Sequence, residues 1–225
     1  MISDLINSIR LTVVGLPLLL LVFVLLEPAV SLGAGNSLVV YLNVGTEIAF
    51  ATPASDVTLA PSINALSGGT ANGGTQVVVK TNDLLGYSMT LAASSSVGMI
   101  GVASSSNSIP AYIPATAGLP DYSFTVPANR AYFGYTVEAS TTADLTSSFK
   151  DSAGSCGAAL GSDTADQCWI NASASDFPIV NRNSATPASG ATTTLKFRVV
   201  INPNPAPLIP NDSYVATTTL TATAN

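Results

Sequence analysis

The sequence predicts an all-β protein, an antiparallel immunoglobulin-like sandwich with Greek-key connections, and three observations indicate this fold class. Apolar residues recur with a period of two from residue 38 to the carboxyl end, as in strands with one buried face. Gly, Pro and Asn separate these runs at short intervals, which is typical of sandwiches. No stretch after residue 35 carries a helical apolar pattern of useful length. We therefore expect a sandwich over residues 36–225, preceded by a hydrophobic helix within residues 1–35.

The N-terminal region predicts export. Residues 11–26 are apolar or neutral, follow Arg10, and precede a stretch of small residues at 29–35, as in a signal peptide. A membrane-spanning helix needs about 20 apolar residues, and Pro17 disfavours a stable span. Cleavage is the favoured reading, and an uncleaved membrane anchor through residues 11–26 stays open. Either way, we expect an extracellular or cell-surface protein exported by the general secretory route.

The first half of the mature chain predicts several strands. An alternating run at residues 38–44 continues, after a break at Gly45, through Ile48 and Phe50, and its inward set would be Leu38, Val40, Leu42 and Val44. A short strand is predicted at residues 57–59. Residues 67–74 form a predicted glycine-rich turn, and residues 77–79 begin the next strand.

The second half predicts three cleaner strands, at residues 86–92, 131–138 and 195–202, and a closing strand at residues 214–223. Their inward sets are Tyr87, Met89 and Leu91; Phe133, Tyr135 and Val137; Leu195, Phe197, Val199 and Ile201; and Tyr214, Ala216, Leu220 and Ala222. Lys196 and Arg198 alternate outward.

Three segments between strands have distinct compositions. Residues 94–122 and 151–176 are rich in small residues and predict long loop insertions at the ends or edges of the sandwich. Residues 202–212 are rich in proline and predict an extended crossover. We therefore expect the final strand to reach the opposite sheet or an edge.

Composition excludes some partners. Charged residues make up 9% of the chain, against about 25% in an ordinary soluble domain, so the surface must be neutral and rich in hydroxyl groups. The formal net charge is −6, and the seven basic residues form no patch along the sequence, which argues against nucleic acid. Disorder is also disfavoured, because 47% of the residues are hydrophobic.

Cys156 and Cys168 are the two cysteines of the chain, and an even pair in an exported protein predicts a disulfide. Closing a loop of this size would stabilise the fold by roughly 3 kcal/mol. A metal site is the alternative, but the chain has no His, and two thiolates do not complete a tetrahedral shell.

Two motifs carry a resemblance. KTNDLLGYSMTLAAS at residues 80–94 resembles the central motif of secreted immunoglobulin-like surface domains of candidate-phyla-radiation (patescibacterial) bacteria. NDSYVATTTLTATAN at residues 211–225 is similar to the closing strand of those domains and to that of spore-coat-type fimbrial subunits. Residues 132–135 and 177–181 fit the same pattern, so the likeness covers most of residues 40–225. It implies a surface location and a structural or adhesive role, with no catalytic residues.

Candidate catalytic groups are few. Without His, serine hydrolysis would need a Ser-Lys dyad, and Lys80, Lys150 and Lys196 lie in no recognisable nucleophile motif. A glycosidase would need two carboxylates across a cleft. The acidic residues that could supply such a pair are Glu47, Asp83, Asp121 and Glu138. Asp in turns is usually structural. We expect no enzymatic activity and no cofactor.

Two further residue groups have a binding alternative. Asp151, Asp163 and Asp166 could hold Ca²⁺, although their spacing matches no EF-hand loop, and the alternative is solvated loop acids. Trp169 directly follows Cys168, and we expect it to pack over the disulfide, with an exposed adhesive contact as the alternative. Tyr112 and Tyr122 are expected at core or edge positions.

The sequence therefore predicts a surface structural protein without catalysis. An open sandwich has edge strands with unpaired backbone groups, and the Lys and Glu that usually deter pairing are scarce here. Strand addition between neighbours would satisfy these groups, giving a homo-oligomer or polymer such as a filament or surface array. The alternative is an adhesin or glycan-binding module with a surface glycan or protein ligand.

Overall fold

The computed structural model describes residues 37–225 and shows an all-β protein with antiparallel sheets, an arrangement consistent with a β-sandwich. The predicted hydrophobic helix and membrane anchor fall within residues 1–35, outside the described residues. In the described part, no helix is long and apolar enough to cross a membrane. Helical structure there is confined to two 3₁₀ helices, Thr142–Asp144 and Ser147–Phe149.

The first sheet has four antiparallel strands in the order β1-β2-β10-β6. These strands are β1 (Ile48–Thr52), β2 (Gly69–Thr81), β6 (Ala131–Ala139) and β10 (Ala191–Ile201). β10 pairs with β2 from Ala191↔Val79 to Ile201↔Gly69, and on its other side with β6. The long central pair holds the sheet together.

The remaining strands form smaller antiparallel sheets in the orders β12-β3-β9 and β11-β4-β5, together with a β7-β8 pair. Their bounds are β3 (Tyr87–Ala93), β4 (Gly98–Gly101), β5 (Ser108–Pro110), β7 (Asp151–Ser152), β8 (Ser155–Cys156), β9 (Phe177–Arg182), β11 (Tyr214–Val215) and β12 (Thr218–Ala224). β11 runs antiparallel to β4, and β12 runs antiparallel to β3. The end of the chain therefore forms one edge of this second layer.

The alternation predicted in the cleaner strands is confirmed. In β3 and β10, every second side chain is buried, and the inward sets of β3, β6 and β10 join one hydrophobic core. β6 is buried on both faces from Phe133 to Val137. The closing strand predicted at residues 214–223 is divided into β11 and β12, which belong to different sheets. β12 alternates as predicted, but its inward side chains, such as Leu220, are only half-buried.

The strand predicted at residues 38–44 is wrong. Residues 37–47 contain no strand, and β1 begins only at Ile48. The predicted inward side chains are highly exposed: 85% for Leu38, 83% for Val40, 84% for Leu42 and 77% for Val44. Period-two alternation produces a strand with a buried face only where a partner strand and a core are available to it.

The predictions at residues 57–59 and 67–74 are also wrong. Residues 53–59 form no strand, whereas the glycine-rich stretch belongs largely to β2, which begins at Gly69. Gly73 explains the second error, because a Cβ there would lie 2.6 Å from Cγ1 of Val57 and 3.0 Å from the carbonyl oxygen of Thr58. Glycine at this position lets residues 57–59 lie directly against the strand.

The long segments between strands are partly ordered into sheets. Residues 94–122 contain β4 and β5, and residues 151–176 contain β7 and β8, so neither segment is entirely loop. The proline-rich crossover at residues 202–212 connects β10 of the first sheet to β11 of the second layer, as predicted. This crossover places the final strand at an edge.

Candidate functional site

The side of the molecule between β1 and the final strands is open, and we call it the open side. A cavity of about 590 Å³ lies there, and its walls come from β1, residues 53–59 and residues 214–220. Phe133, Leu195 and Phe197, all core residues, line it. The opening therefore reaches the hydrophobic core from the side.

A second cavity, of about 1050 Å³, continues this opening. It shares Val57, Leu59, Met99 and Tyr214 with the first cavity. Val199 and Ile201 of β10, together with residues 61–67 and 208–214, complete its lining. We call the two cavities together the groove.

The strands that border the groove have unpaired outer edges. Within the described residues, β1 pairs only with β2, and β12 pairs only with β3. Among residues 37–225, no other backbone hydrogen bond joins the outer edge of either strand to a neighbour. Their sequences, IAFAT and TTLTATA, contain no charged residue and no proline. Neither edge thus carries the charges or prolines that protect exposed strands from pairing.

The opposite side, which we call the closed side, has covered edges. The outer edge of β6 exchanges two backbone hydrogen bonds of 2.9 Å between Tyr135 and Ile170, and Tyr112 donates another to the Phe133 carbonyl. On β9, the Ile179 carbonyl accepts a hydrogen bond from the Thr146 amide. These segments leave little of either edge free for strand addition.

All ion pairs among residues 37–225 belong to the closed side. Nζ of Lys196 lies 2.7 Å from Glu138 and 3.1 Å from Asp166, and Arg182 lies 2.6 Å from Asp144. Burial acts to lower the pKa of Lys196, but the hydrogen bonds to its two carboxylate partners outweigh burial and raise it. The Lys196 ammonium is thus held in its charged form.

The closed side also contains the predicted disulfide. Cys156 and Cys168 are joined by a disulfide bond, and the Cα atoms are 5.7 Å apart. Trp169, which follows, is 1% exposed and donates a hydrogen bond from Nε1 to the Asp166 carbonyl. Its ring meets Phe124 edge-on and is covered by the Arg198 guanidinium at 4.1 Å, a cation–π contact. Trp169 is thus a local core residue, and the exposed adhesive alternative is wrong.

The three candidate catalytic lysines lie in different surroundings. Lys196 is ion-paired, and Nζ of Lys150 donates a hydrogen bond to the Ala143 carbonyl. Lys80 is exposed on β2. Among the described residues, no hydrogen bond joins the ammonium group of any of these lysines to a serine hydroxyl. The arrangement offers no activated serine nucleophile there.

The candidate glycosidase acids have structural partners. Asp121 accepts hydrogen bonds from the Tyr112 hydroxyl at 2.7 Å and from the Ala115 amide. Burial and the bond to Asp121 raise the pKa of Tyr112. Asp83 accepts the Leu85 amide in a tight turn, Glu138 pairs with Lys196, and Glu47 is exposed beside Asn82. Tyr112 is buried and Tyr122 half-buried, as expected for core and edge positions.

The acids considered for calcium are also engaged by protein donors. Asp151 accepts hydrogen bonds from the amide and the hydroxyl of Thr164, and Asp163 accepts one from the Ala139 amide. Burial raises the pKa of Asp163. Among residues 37–225, no three Asp, Glu, Cys or His side chains are grouped so as to hold a metal ion.

The groove is the feature that the sequence did not predict. Its signal was indirect, because the final strand alternates Leu220 and Ala222 with threonines and carries no charge. That pattern predicts an edge strand. It does not reveal that, among residues 37–225, no strand lies on the outer side of β12. As for known proteins, no family model matches the chain, and no curated protein matches it either.

Proposed function

We propose that the protein is an exported structural subunit of the cell surface that associates with copies of itself by strand addition on the open side. The observation that carries this proposal is the pair of uncharged, unpaired edges, β1 and β12, on either side of a groove that reaches core side chains. An exposed strand edge presents a row of unpaired N–H and C=O groups, and a strand from another molecule would pair with them.

The strand order supports an immunoglobulin-like Greek key with one position empty. In that fold, strands A, B, E and D form one sheet, and C, F and G form the other. The order β1-β2-β10-β6 corresponds to A-B-E-D, and the pairing of β12 with β3 corresponds to F with C. No strand among residues 37–225 lies beside β12 at the position of G. The groove lies where strand G would be.

Export is supported by two features. Residues 1–35 have the composition of a signal peptide or membrane anchor, and a disulfide joins Cys156 to Cys168. Disulfides persist mainly outside the cytoplasm. The resemblance to secreted immunoglobulin-like surface domains and to spore-coat-type fimbrial subunits agrees with a filament or surface-array subunit. The partners of the candidate catalytic acids and lysines support a role without catalysis.

The proposal is tested by the state of association of the exported protein. Light scattering and negative-stain microscopy over a range of concentrations should show ordered oligomers or filaments. Because β1 and β12 carry no charged residue, we expect association to persist at high salt, where surface charge interactions are screened. A protein that stays strictly monomeric at high concentration would overturn the proposal.

A pair of substitutions locates the surface. Thr221 of β12 and Asn181 of β9 are both exposed and lie on strands that flank β3. A lysine on an edge strand deters pairing, so Thr221→Lys should reduce association strongly, whereas Asn181→Lys, the matched control with the same added charge, should not. Equal effects of the two variants would argue against the open side.

An adhesin or glycan-binding module is the second proposal. Such a module would use exposed aromatic side chains, but Trp169 and Tyr112 are buried. Shortening residues 94–122 would also remove β4 and β5. Glycan-array binding by a monomeric protein would favour this alternative over self-association.

A further inference from the structure

We propose that the outer face of the first sheet binds a glycan with isolated carboxylate groups, such as uronic acids, through the guanidinium group of Arg198. Arg198 lies on β10, and its cross-strand neighbours are Asn72 on β2 and Gly134 on β6. None of these three residues lines the groove. Binding at this face is therefore separate from the proposed self-association. It rests on the glycan-binding alternative and gives that alternative a site and a ligand class.

The Arg198 guanidinium is held in a fixed orientation by its neighbours. Its Cζ atom lies 4.1 Å from the centroid of the Trp169 ring and 5.9 Å from that of the Phe124 ring. Nε donates a hydrogen bond of 2.7 Å to Oδ1 of Asn72. Stacking on a ring uses the face of a guanidinium, whereas its N–H donors point outward in the plane. The donors of Nη1 and Nη2 are thus left for another acceptor.

The two terminal nitrogens of Arg198 are reached by solvent. Among residues 37–225, neither Nη1 nor Nη2 donates a hydrogen bond or takes part in an ion pair. Arg198 as a whole is half-buried. In the same part of the chain, the hydroxyls of Tyr87 and Tyr135 are the only fully buried side-chain nitrogen or oxygen atoms without a partner. The Nη atoms are therefore accessible, and an acceptor can approach them from outside.

The charge of Arg198 has no acidic hydrogen-bond partner among the described residues. Burial lowers the pKa of Arg198, and Asp166 acts in the opposite direction without compensating for it. The Asp166 carboxylate lies 3.1 Å from Nζ of Lys196. Arginine remains charged at neutral pH even so. A carboxylate ligand would give this half-buried cation a bidentate, charge-assisted pair of hydrogen bonds, which offsets the cost of burial.

The surface beside Arg198 matches the hydroxyl groups of sugars. Asn72, Gly74 and Gln76 follow one another on the outer face of β2, and all three are exposed. Nε2 of Gln76 donates a hydrogen bond to the Thr194 hydroxyl on β10. Amides and hydroxyls both donate and accept hydrogen bonds, as sugar hydroxyls do. Asn72 and Gln76 lie roughly 13 Å apart along the strand, so an oligosaccharide can contact both amides and Arg198.

The charge of the surroundings favours a glycan over an acidic peptide. The chain has a formal net charge of −6, which repels a ligand with many close negative charges. Lys196, on the same face of β10, is already paired with Glu138 and Asp166. A guanidinium bordered by neutral amides suits widely spaced carboxylates. Uronic acids separated by neutral sugars have that spacing, and their hydroxyls fit Asn72 and Gln76.

The experiment measures binding of a short hyaluronan oligosaccharide, in which glucuronate alternates with a neutral sugar, to the full chain purified after export. Its methyl ester is the ligand control, because esterification removes the charge and keeps the sugars. Titration calorimetry should show that esterification weakens binding at least about tenfold, and that Arg198→Gln weakens binding of the acid by a similar factor. Arg130→Gln removes the same charge from an exposed arginine elsewhere and should change binding less than about twofold.

Two further variants separate recognition from folding. Asn72→Asp keeps Arg198 and its stack on Trp169, but places a carboxylate beside the guanidinium and neutralises it within the chain. Binding should fall at least about tenfold without a fall in melting temperature. Arg198→Lys keeps the charge and loses the planar pair of donors, so it should also bind weakly. If Arg198→Gln does not fold, Asn72→Asp and the methyl ester decide the question.

The outcomes separate this site from the other proposals. Binding should weaken at high salt, in contrast to association on the open side. Equal binding of the acid and its ester, or undiminished binding by Asn72→Asp, would overturn the Arg198 site and leave glycan binding standing. Binding of neither form would overturn the site and leave self-association, which is measured separately, unaffected. A glutamate-rich peptide that bound as tightly as the oligosaccharide would overturn the assignment to glycans.

Discussion

The closed side and the open side of the molecule differ in whether the outer edges of their strands have backbone partners among residues 37–225. On the closed side, loop segments supply backbone partners to β6 and β9, and a disulfide, a buried tryptophan and three ion pairs fix those segments in place. On the open side, the outer edges of β1 and β12 have no backbone partner among residues 37–225, and neither strand contains a charged residue or a proline. The ion pairs among residues 37–225 thus lie where they stabilise loops, whereas β1 and β12 themselves carry no charge that would deter pairing.

From this difference we expect the closed side to contribute to the stability of the monomer and the open side to association. Interactions on the closed side are complete within one molecule, so they should contribute to the stability of the monomer. Leu220 on the open side packs against the core but is only half-buried, and in the proposed assembly a neighbour would cover the rest of it. Substitutions on the two sides should therefore separate stability from association.

The largest expected effect on stability is that of Trp169→Ala. Trp169 is 1% exposed and packs between Phe124 and Arg198, so its removal leaves a cavity and should lower the free energy of unfolding by about 3–5 kcal/mol. Leu220→Ala on the open side should lower it by only about 1 kcal/mol, because less apolar area is lost. Urea unfolding of the monomeric proteins measures both values. Equal losses would contradict the distinction between the two sides.

Removal of the disulfide is next in size. The Cys156→Ala, Cys168→Ala double variant frees a loop with a sequence separation of 12 and should lose roughly 3 kcal/mol of stability. Since the bond lies on the closed side, the folded variant should assemble at nearly the same concentration as the unsubstituted protein. Reductant should destabilise the unsubstituted protein and leave the variant unchanged. Loss of assembly in a variant that is fully folded would show that the two sides are coupled.

The sequence was most informative where burial is completed within the chain. The alternation of Leu195, Phe197, Val199 and Ile201 predicted β10, and the pair Cys156 and Cys168 predicted the disulfide. It misled at residues 38–44, where the same alternation has no partner among the described residues, and at residues 67–74, where glycine serves close packing and not a turn. Periodicity reports that a face is apolar, but it does not report which molecule covers that face.

The groove was harder to predict for a related reason. It depends on the fact that no strand of the described part of the chain lies on the outer side of β12, which follows from the order of strands in the sheets. Strand order is set by long-range pairing such as β10 with β2, which no local pattern of residues encodes. The uncharged final strand was visible in the sequence, and it predicted a pairing edge without locating the site.

The smallest expected effect is that of Asp163→Asn on the closed side. Burial raises the pKa of Asp163 above its ordinary value of 3.8, and the nearby Glu138 and Asp151 act in the same direction against Lys196. The folded protein therefore holds the proton more tightly than the unfolded chain, so ionisation of Asp163 costs stability at neutral pH. The variant keeps an acceptor for the Ala139 amide and should be slightly more stable than the unsubstituted protein at pH 7.

That difference should shrink as the pH falls through the raised pKa of Asp163 toward 3.8, because the carboxyl group becomes protonated in the folded protein. Urea unfolding at several pH values measures it, with association followed as a control. A variant that is less stable than the unsubstituted protein at neutral pH and equally so at low pH would contradict the assigned cause.

Amide hydrogen exchange in monomer and assembly tests the central claim most directly. The outward-pointing amides of β1 and β12 should exchange rapidly in the monomer and become protected on assembly, whereas those of β6, already bonded on the closed side, should be protected in both. The Thr221→Lys variant supplies the monomer if the unsubstituted protein is always assembled. Unchanged exchange at β1 and β12, with new protection on the closed side, would contradict the account.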